Sequence, residues 1–196
     1  MAFSNFTYDK IQEELGISLH YDRLFHANVP LQPSTWLLET LFINEKLAFF
    51  SEKSRSEAII FPILTDVWTQ NNQSFAIYSG PDLEADKEKG LTGECDFILG
   101  KGAQGLSLDS PLFCMIEAKD QDIKKAIPQC IAQMEGAHIY NENHKKPLSI
   151  IWGCVTTGEL WLFLKLENKQ AYIDTKRYFL VELAEILGIL QQIVCL

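Results

Sequence analysis

Apolar and polar positions change period several times along the chain. Residues 8–15 carry Tyr8, Ile11 and Leu15 at helical spacing and stop at Gly16, a residue suited to a helix C-cap. Pro33-Ser34-Thr35 is a helix start, and Trp36, Leu37, Leu41, Phe42 and Leu47 continue it. A second start, Ser51 to Glu57, leads into Ala58-Ile59-Ile60-Phe61-Pro62-Ile63-Leu64, where Pro62 predicts a kink. The first fifty residues are therefore predicted to be helical. The pattern then shortens to three strand-like pieces, 75–79, 93–99 and 111–119, separated by Gly-, Asp- and Lys-rich connections. A helix is predicted over 122–140, with Pro128 near its first turns. Two strands follow, 149–156 and 160–166, joined by a turn at Thr157-Gly158-Glu159. The closing stretch, 180–194, lines up Leu183, Ile186, Leu187, Leu190 and Ile193 on one helical face. Helix, three strands, helix, two strands, helix predicts an α/β chain with a mixed central sheet flanked by helices. No repeat or linker interrupts 1–196, so a single domain is expected.

Composition narrows this picture. A chain of 196 residues that is 47% hydrophobic can bury one good-sized core. The apolar runs are too short to span a bilayer, and the N-terminal residues lack a signal-peptide pattern, so no membrane association is expected. Five cysteines without a CxxC pair, three of them inside apolar segments, suit free thiols in a reducing cytoplasm. The four histidines are dispersed, without metal-ligand spacing. Asp82, Glu84, Asp86 and Glu88 alternate as in a calcium loop. Gly90 falls too late for that loop and no glutamate closes it, which excludes calcium there. A net charge of −9 weighs against a nucleic-acid partner. Short basic clusters do persist at Lys53 and Arg55, Lys124 and Lys125, and Lys145 and Lys146.

The candidate chemistry lies between Gly93 and Lys119. Asp96 opens Asp-Phe-Ile-Leu, and Glu117 and Lys119 close Leu-Phe-Cys-Met-Ile-Glu-Ala-Lys, where a buried strand should carry apolar residues. Side chains alternate along a strand, so Glu117 and Lys119 share a face and Ala118 takes the other. Mg²⁺ needs only one or two protein carboxylates, here Asp96 and Glu117, and the main-chain carbonyl of Ala118 could add an oxygen. Lys119 would then hold the attacking water or offset charge developing on a phosphoryl group.

Gly93-x-x-Asp96, a twenty-residue gap and Glu117-Ala118-Lys119 resemble the signature of the PD-(D/E)XK nuclease superfamily. The resemblance implies a restriction-endonuclease-like core of order αβββαβ over about 52–166. The helical N-terminal part (1–51) and the C-terminal part (167–196) would be extensions. It further implies that Glu57 on the preceding helix is a third metal carboxylate. Gln129 in Pro128-Gln129-Cys130-Ile131-Ala132-Gln133 would stand for the glutamine of RecB-type members. Gln133 occupies the place where those members usually carry tyrosine, and Cys95 the place where proline often precedes the aspartate.

The function implied is Mg-dependent hydrolysis of DNA phosphodiester bonds, with Mn²⁺ as a possible substitute and no small-molecule cofactor. The catalytic set is Glu57, Asp96, Glu117, Lys119 and Gln129. The alternative is a catalytically silent nuclease-fold module for interaction or assembly, to which the acidic charge and the apolar face of the last helix both point. That face, running to Leu196, would also suit a homodimer.

Overall fold

The computed structural model describes residues 2–27, 29–47, 51–102, 105, 107–119 and 122–195. The chain opens with α1 (Tyr8–Glu13) and β1 (Ser18–Asp22), then α2 (Thr35–Asn44), whose N-cap Ser34 accepts from Leu37 N. Next come α3 (Glu52–Arg55), a π-helical turn (Ser56–Ile60) and α4 (Phe61–Gln70). Five strands follow: β2 (Ala76–Ser79), β3 (Asp82–Asp86), β4 (Leu91–Glu94), β5 (Phe97–Gly100) and β6 (Leu112–Ala118). The long α5 (Ile123–Asn143) precedes β7 (Ile150–Thr156), β8 (Leu160–Glu167), β9 (Gln170–Asp174) and β10 (Tyr178–Phe179). The chain closes with α6 (Leu183–Cys195).

The α/β reading holds at the level of architecture: a mixed eight-stranded sheet with helices on both faces. Its order is β1-β9-β8-β7-β6-β5-β2, with β10 also pairing β8, while β3 and β4 form a separate hairpin. β6 and β7 run parallel, as do β1 and β9, and the other neighbours are antiparallel. One face packs α1, α5 and the β3–β4 hairpin through Leu83, Leu91, Met115, Ile131, Val155 and Leu162. The opposite face carries α2, α4 and α6 through Leu37, Ile63, Ile116, Phe163 and Leu190.

Two sequence expectations need correction. The first fifty residues are not all helical, because β1 adds an edge strand beside β9. Only Leu19 in β1 is even half-buried, so the strand shows no apolar alternation. Acidic residues disguise β3 in the same way; Leu83 alone is buried, under α5, between exposed Asp82 and Glu84. The helix around Pro62 departs from regular α geometry in the π turn just before it, which agrees with an expected irregularity there. Proline has no N–H to give the Ala58 carbonyl, and the side chain of Asn44 supplies one instead at 2.8 Å. Phe61 N–H bonds Ser56 O across the π turn, so the helical ladder continues. The apolar face of α6, expected to be free for a dimer, is spent inside the domain: Ile186, Leu187, Ile189, Leu190 and Ile193 are all buried. Leu196 lies outside the described residues.

Candidate active site

Every residue of β6 is buried. Its alternation sends Ile116 and Ala118 towards α4 and α6, and Met115 towards α5. Glu117 shares the parity of Met115, so its carboxylate comes up beneath α5 with 2% exposure. Two donors meet it there. Lys119 Nζ donates to Oε1 at 2.6 Å, and Gln133 Nε2 donates to Oε2 at 2.7 Å. Lys119 itself is anchored by its N–H to Thr156 O at 2.8 Å, and its ammonium lies 3.8 Å from Glu52 Oε2 at the start of α3.

Asp96 occupies the bend between β4 and β5. Its Oδ2 accepts the N–H of Ala118 at 2.7 Å, which binds the bend to the end of β6. Its own carbonyl accepts from Gly80 N at 2.9 Å. Asp96, Glu117 and Lys119 are therefore brought together as their spacing predicts. Asp96 also forms the inner wall of an open cleft of about 830 Å³ whose other wall includes Glu52, Lys53 and Glu57.

The helix is held at this height by two devices. Asn141, fully buried, uses Oδ1 for Leu112 N and Nδ2 for Leu112 O, both at 2.7 Å, clamping α5 to the start of β6. In the middle, Gly153 on β7 lets α5 approach the sheet. A Cβ there would overlap Met134 Sδ and come within 3.0 Å of Cys130 Sγ. With both in place, Gln133 falls over Glu117.

The electrostatics follow from burial. Glu117 has its pKa raised to about 7, chiefly because desolvation disfavours the charged form and also through repulsion from Asp96; Lys119 and Gln133 oppose this. Asp96 is also raised by burial, against the Ala118 N–H and the Lys119 charge. Burial alone would lower Lys119, but Glu117, Glu52 and Asp96 outweigh it and leave the amine above its ordinary value. At neutral pH two carboxyls thus compete for too little positive charge.

The structure sorts the sequence candidates. Asp96, Glu117 and Lys119 form one hydrogen-bonded unit. Ala118 contributes its N–H to that unit, and its side chain packs on the opposite core. Glu57 lies on the cleft wall with an exposed side chain 3.9 Å from Lys53. Gln129 is half-buried one turn before the glutamine that reaches Glu117, which is Gln133. Sequence reasoning thus missed Gln133 and Glu52. Helical phase carried a signal for the first, because Gln133 shares its stripe with Cys130 and Ala137, where an apolar residue would be expected. Glu52 looked like an ordinary first-turn acid after the Ser51 cap. Asp120, a possible cap for the following helix, lies outside the described residues, whereas Asp122 does cap Lys124 N at 3.1 Å.

Among the described residues, no three His, Cys, Asp or Glu side chains are grouped closely enough to hold a metal by themselves. The donor set still fits a hard cation that keeps most of its waters. It comprises two mutually repelling carboxylates, and Gln133 Oε1 beside them is buried without a hydrogen-bond partner. A cation, or water held by it, would satisfy both conditions. No helix among the described residues is long and apolar enough to cross a membrane. Protein-family models, curated proteins and solved structures were compared with the chain, and none matches.

Proposed function

We propose that the chain is a metal-dependent nuclease with a restriction-endonuclease-like core, hydrolysing DNA phosphodiester bonds with Mg²⁺. The observation that supports this most is the convergence of Asp96, Glu117 and Lys119 at one end of β6. There a carboxylate buried to 2% exposure is held by a lysine and a glutamine, behind Asp96, which lines the open cleft. Buried charge is costly, and hydrophobic residues of similar size would stabilise the strand better. The arrangement therefore suits chemistry more than folding.

Asp96 and Glu117 would hold the cation, with Glu52 and Glu57 on the facing wall. When bound, the ion would supply positive charge at the scissile phosphate and lower the pKa of the attacking water. Lys119 gives the point charge. Its amine stays protonated, shared between Glu117 and Glu52, and can turn to a non-bridging phosphate oxygen or orient water. Gln133 positions Glu117 by holding Oε2.

A second reading, a catalytically silent module, draws on the same site. Both oxygens of Glu117 are already hydrogen-bonded, and the chain carries a net charge of −9. Calorimetric titration with Mg²⁺ and Mn²⁺ separates the two. Binding that Asp96→Asn weakens at least tenfold supports the nuclease. Absence of binding by the parent chain favours the module.

A further inference from the structure

On the α5 face of the sheet, beyond the catalytic unit, is a second open groove of about 480 Å³. Its floor is apolar, formed by Ile127, Leu162 and Ile173. Its rim carries two tyrosines, Tyr8 and Tyr21, and two cations, Lys124 and Arg177. Tyr8 is fixed by its hydroxyl, which donates to Lys124 O at 3.0 Å, whereas Tyr21 is 69% exposed on the edge strand. Lys124 and Arg177 are exposed, and among the described residues neither has an ion-pair partner. Most other lysines near the sheet are paired: Lys119, Lys125, Lys165, Lys169 and Lys176 all are. The acid in the groove wall is already engaged. Asp174 receives Tyr178 OH at 3.2 Å and Lys176 N at 2.9 Å, with Arg23 at 3.7 Å.

The sheet register relates this groove to the site. Glu117 is opposite Val155, and Val155 is opposite Leu162, so Leu162 lies in the same row two strands away. At the usual strand spacing that is about 10 Å. Lys124 belongs to the first turn of α5, shortly after Lys119 in the chain.

We propose that this groove is a subsite for an unpaired nucleotide of the substrate, stacking its base on Tyr21 and Tyr8 and its phosphate on Lys124 and Arg177. The inference rests on the nuclease reading for its substrate class, and it specifies a single strand at this position. Only an unpaired base can present its face to a tyrosine, since in a duplex both faces are stacked. The apolar floor and free cations match the two halves of a nucleotide. The chain places these two free cations together despite having 17 basic against 26 acidic residues.

The test is binding by the full chain in EDTA, read by anisotropy of a labelled oligothymidylate of about ten nucleotides. Tyr21→Ala, at an exposed edge position, should weaken binding about tenfold, as expected for loss of one stacked base. The Lys124→Ala/Arg177→Ala pair should lower the slope of log K against log salt by about 0.7, the value for one neutralised single-strand phosphate. A duplex of equal length should bind more weakly and be insensitive to Tyr21→Ala. Tyr21-dependent binding of oligouridylate would also support the subsite, and the tighter of oligouridylate and oligodeoxyuridylate, which share a base, identifies the sugar. Unchanged affinity and salt slope in all variants, or no binding by the parent chain, would overturn it. Cleavage assays with Lys119→Ala are read separately. Lys119-dependent cleavage with variant-insensitive binding sinks the subsite alone, whereas Tyr21-dependent binding without cleavage sinks the nuclease reading alone.

Discussion

The buried carboxyl of Glu117 should write itself into the pH dependence of stability. Its ordinary value of 4.5 is raised to about 7, first by burial and then by Asp96. A carboxyl whose folded-state pKa lies above its unfolded one binds its proton more tightly when folded. The stabilisation it gives is therefore complete below about pH 4.5 and lost as the pH rises through about 7. At 1.36 kcal/mol per pH unit the whole interval is worth about 3 kcal/mol. Lys119 does not blur this window, because its amine, raised above 10.5, stays charged throughout. Glu117→Gln removes this titration and keeps the shape, while Asp96, also raised by burial, titrates in both proteins and drops out of the comparison. The assay is urea unfolding between pH 5 and 8 in EDTA, followed by the fluorescence of the four tryptophans. From pH 5 to 8 the parent should lose about 2–3 kcal/mol relative to Glu117→Gln, or about 5–10 °C in midpoint for a chain of this length. Mg²⁺ at one hundred times its Kd should restore about 2.7 kcal/mol at pH 8 in the parent and far less in the variant. Parallel pH profiles for the two proteins would refute the reasoning, because burial would then not be setting the charge of Glu117.

Other outcomes follow from the packing around the site. Asn141→Ala leaves the N–H and C=O of Leu112 buried without partners, and should destabilise the chain by about 2–4 kcal/mol in urea unfolding. Gly153→Ala forces α5 off the sheet at Met134 and Cys130, and should cost about 1–3 kcal/mol and weaken Mg²⁺ binding by displacing Gln133. Of the five cysteines, four are buried, and burial pushes the thiols of Cys95, Cys114, Cys130 and Cys154 up. A thiol reagent should therefore modify Cys195 promptly in the native chain, and the others only in denaturant.

The sequence was legible where burial leaves a period. The β6, β7 and β8 strands and the helices α5 and α6 announced themselves because whole faces are apolar. β1 and the β3–β4 hairpin did not, because an edge strand with one half-buried leucine and a hairpin with one buried residue per strand carry no alternation. In the site, Asp96, Glu117 and Lys119 were visible as charges inside apolar strands. Gln133 was hidden by its neighbour Gln129, and only the phase of α5 against the sheet chooses between them. Glu52 was hidden because its nearness to Lys119 is set by the fold, across 67 residues of chain.

The most direct test of the central claim is cleavage of labelled single-stranded and duplex DNA with Mg²⁺ or Mn²⁺, comparing the parent chain with Lys119→Ala of verified fold. The account predicts metal-dependent cleavage by the parent, abolished by EDTA and reduced at least about a hundredfold in the variant, as for loss of one transition-state donor. Equal cleavage by both proteins, or none by the parent with either metal, would contradict it.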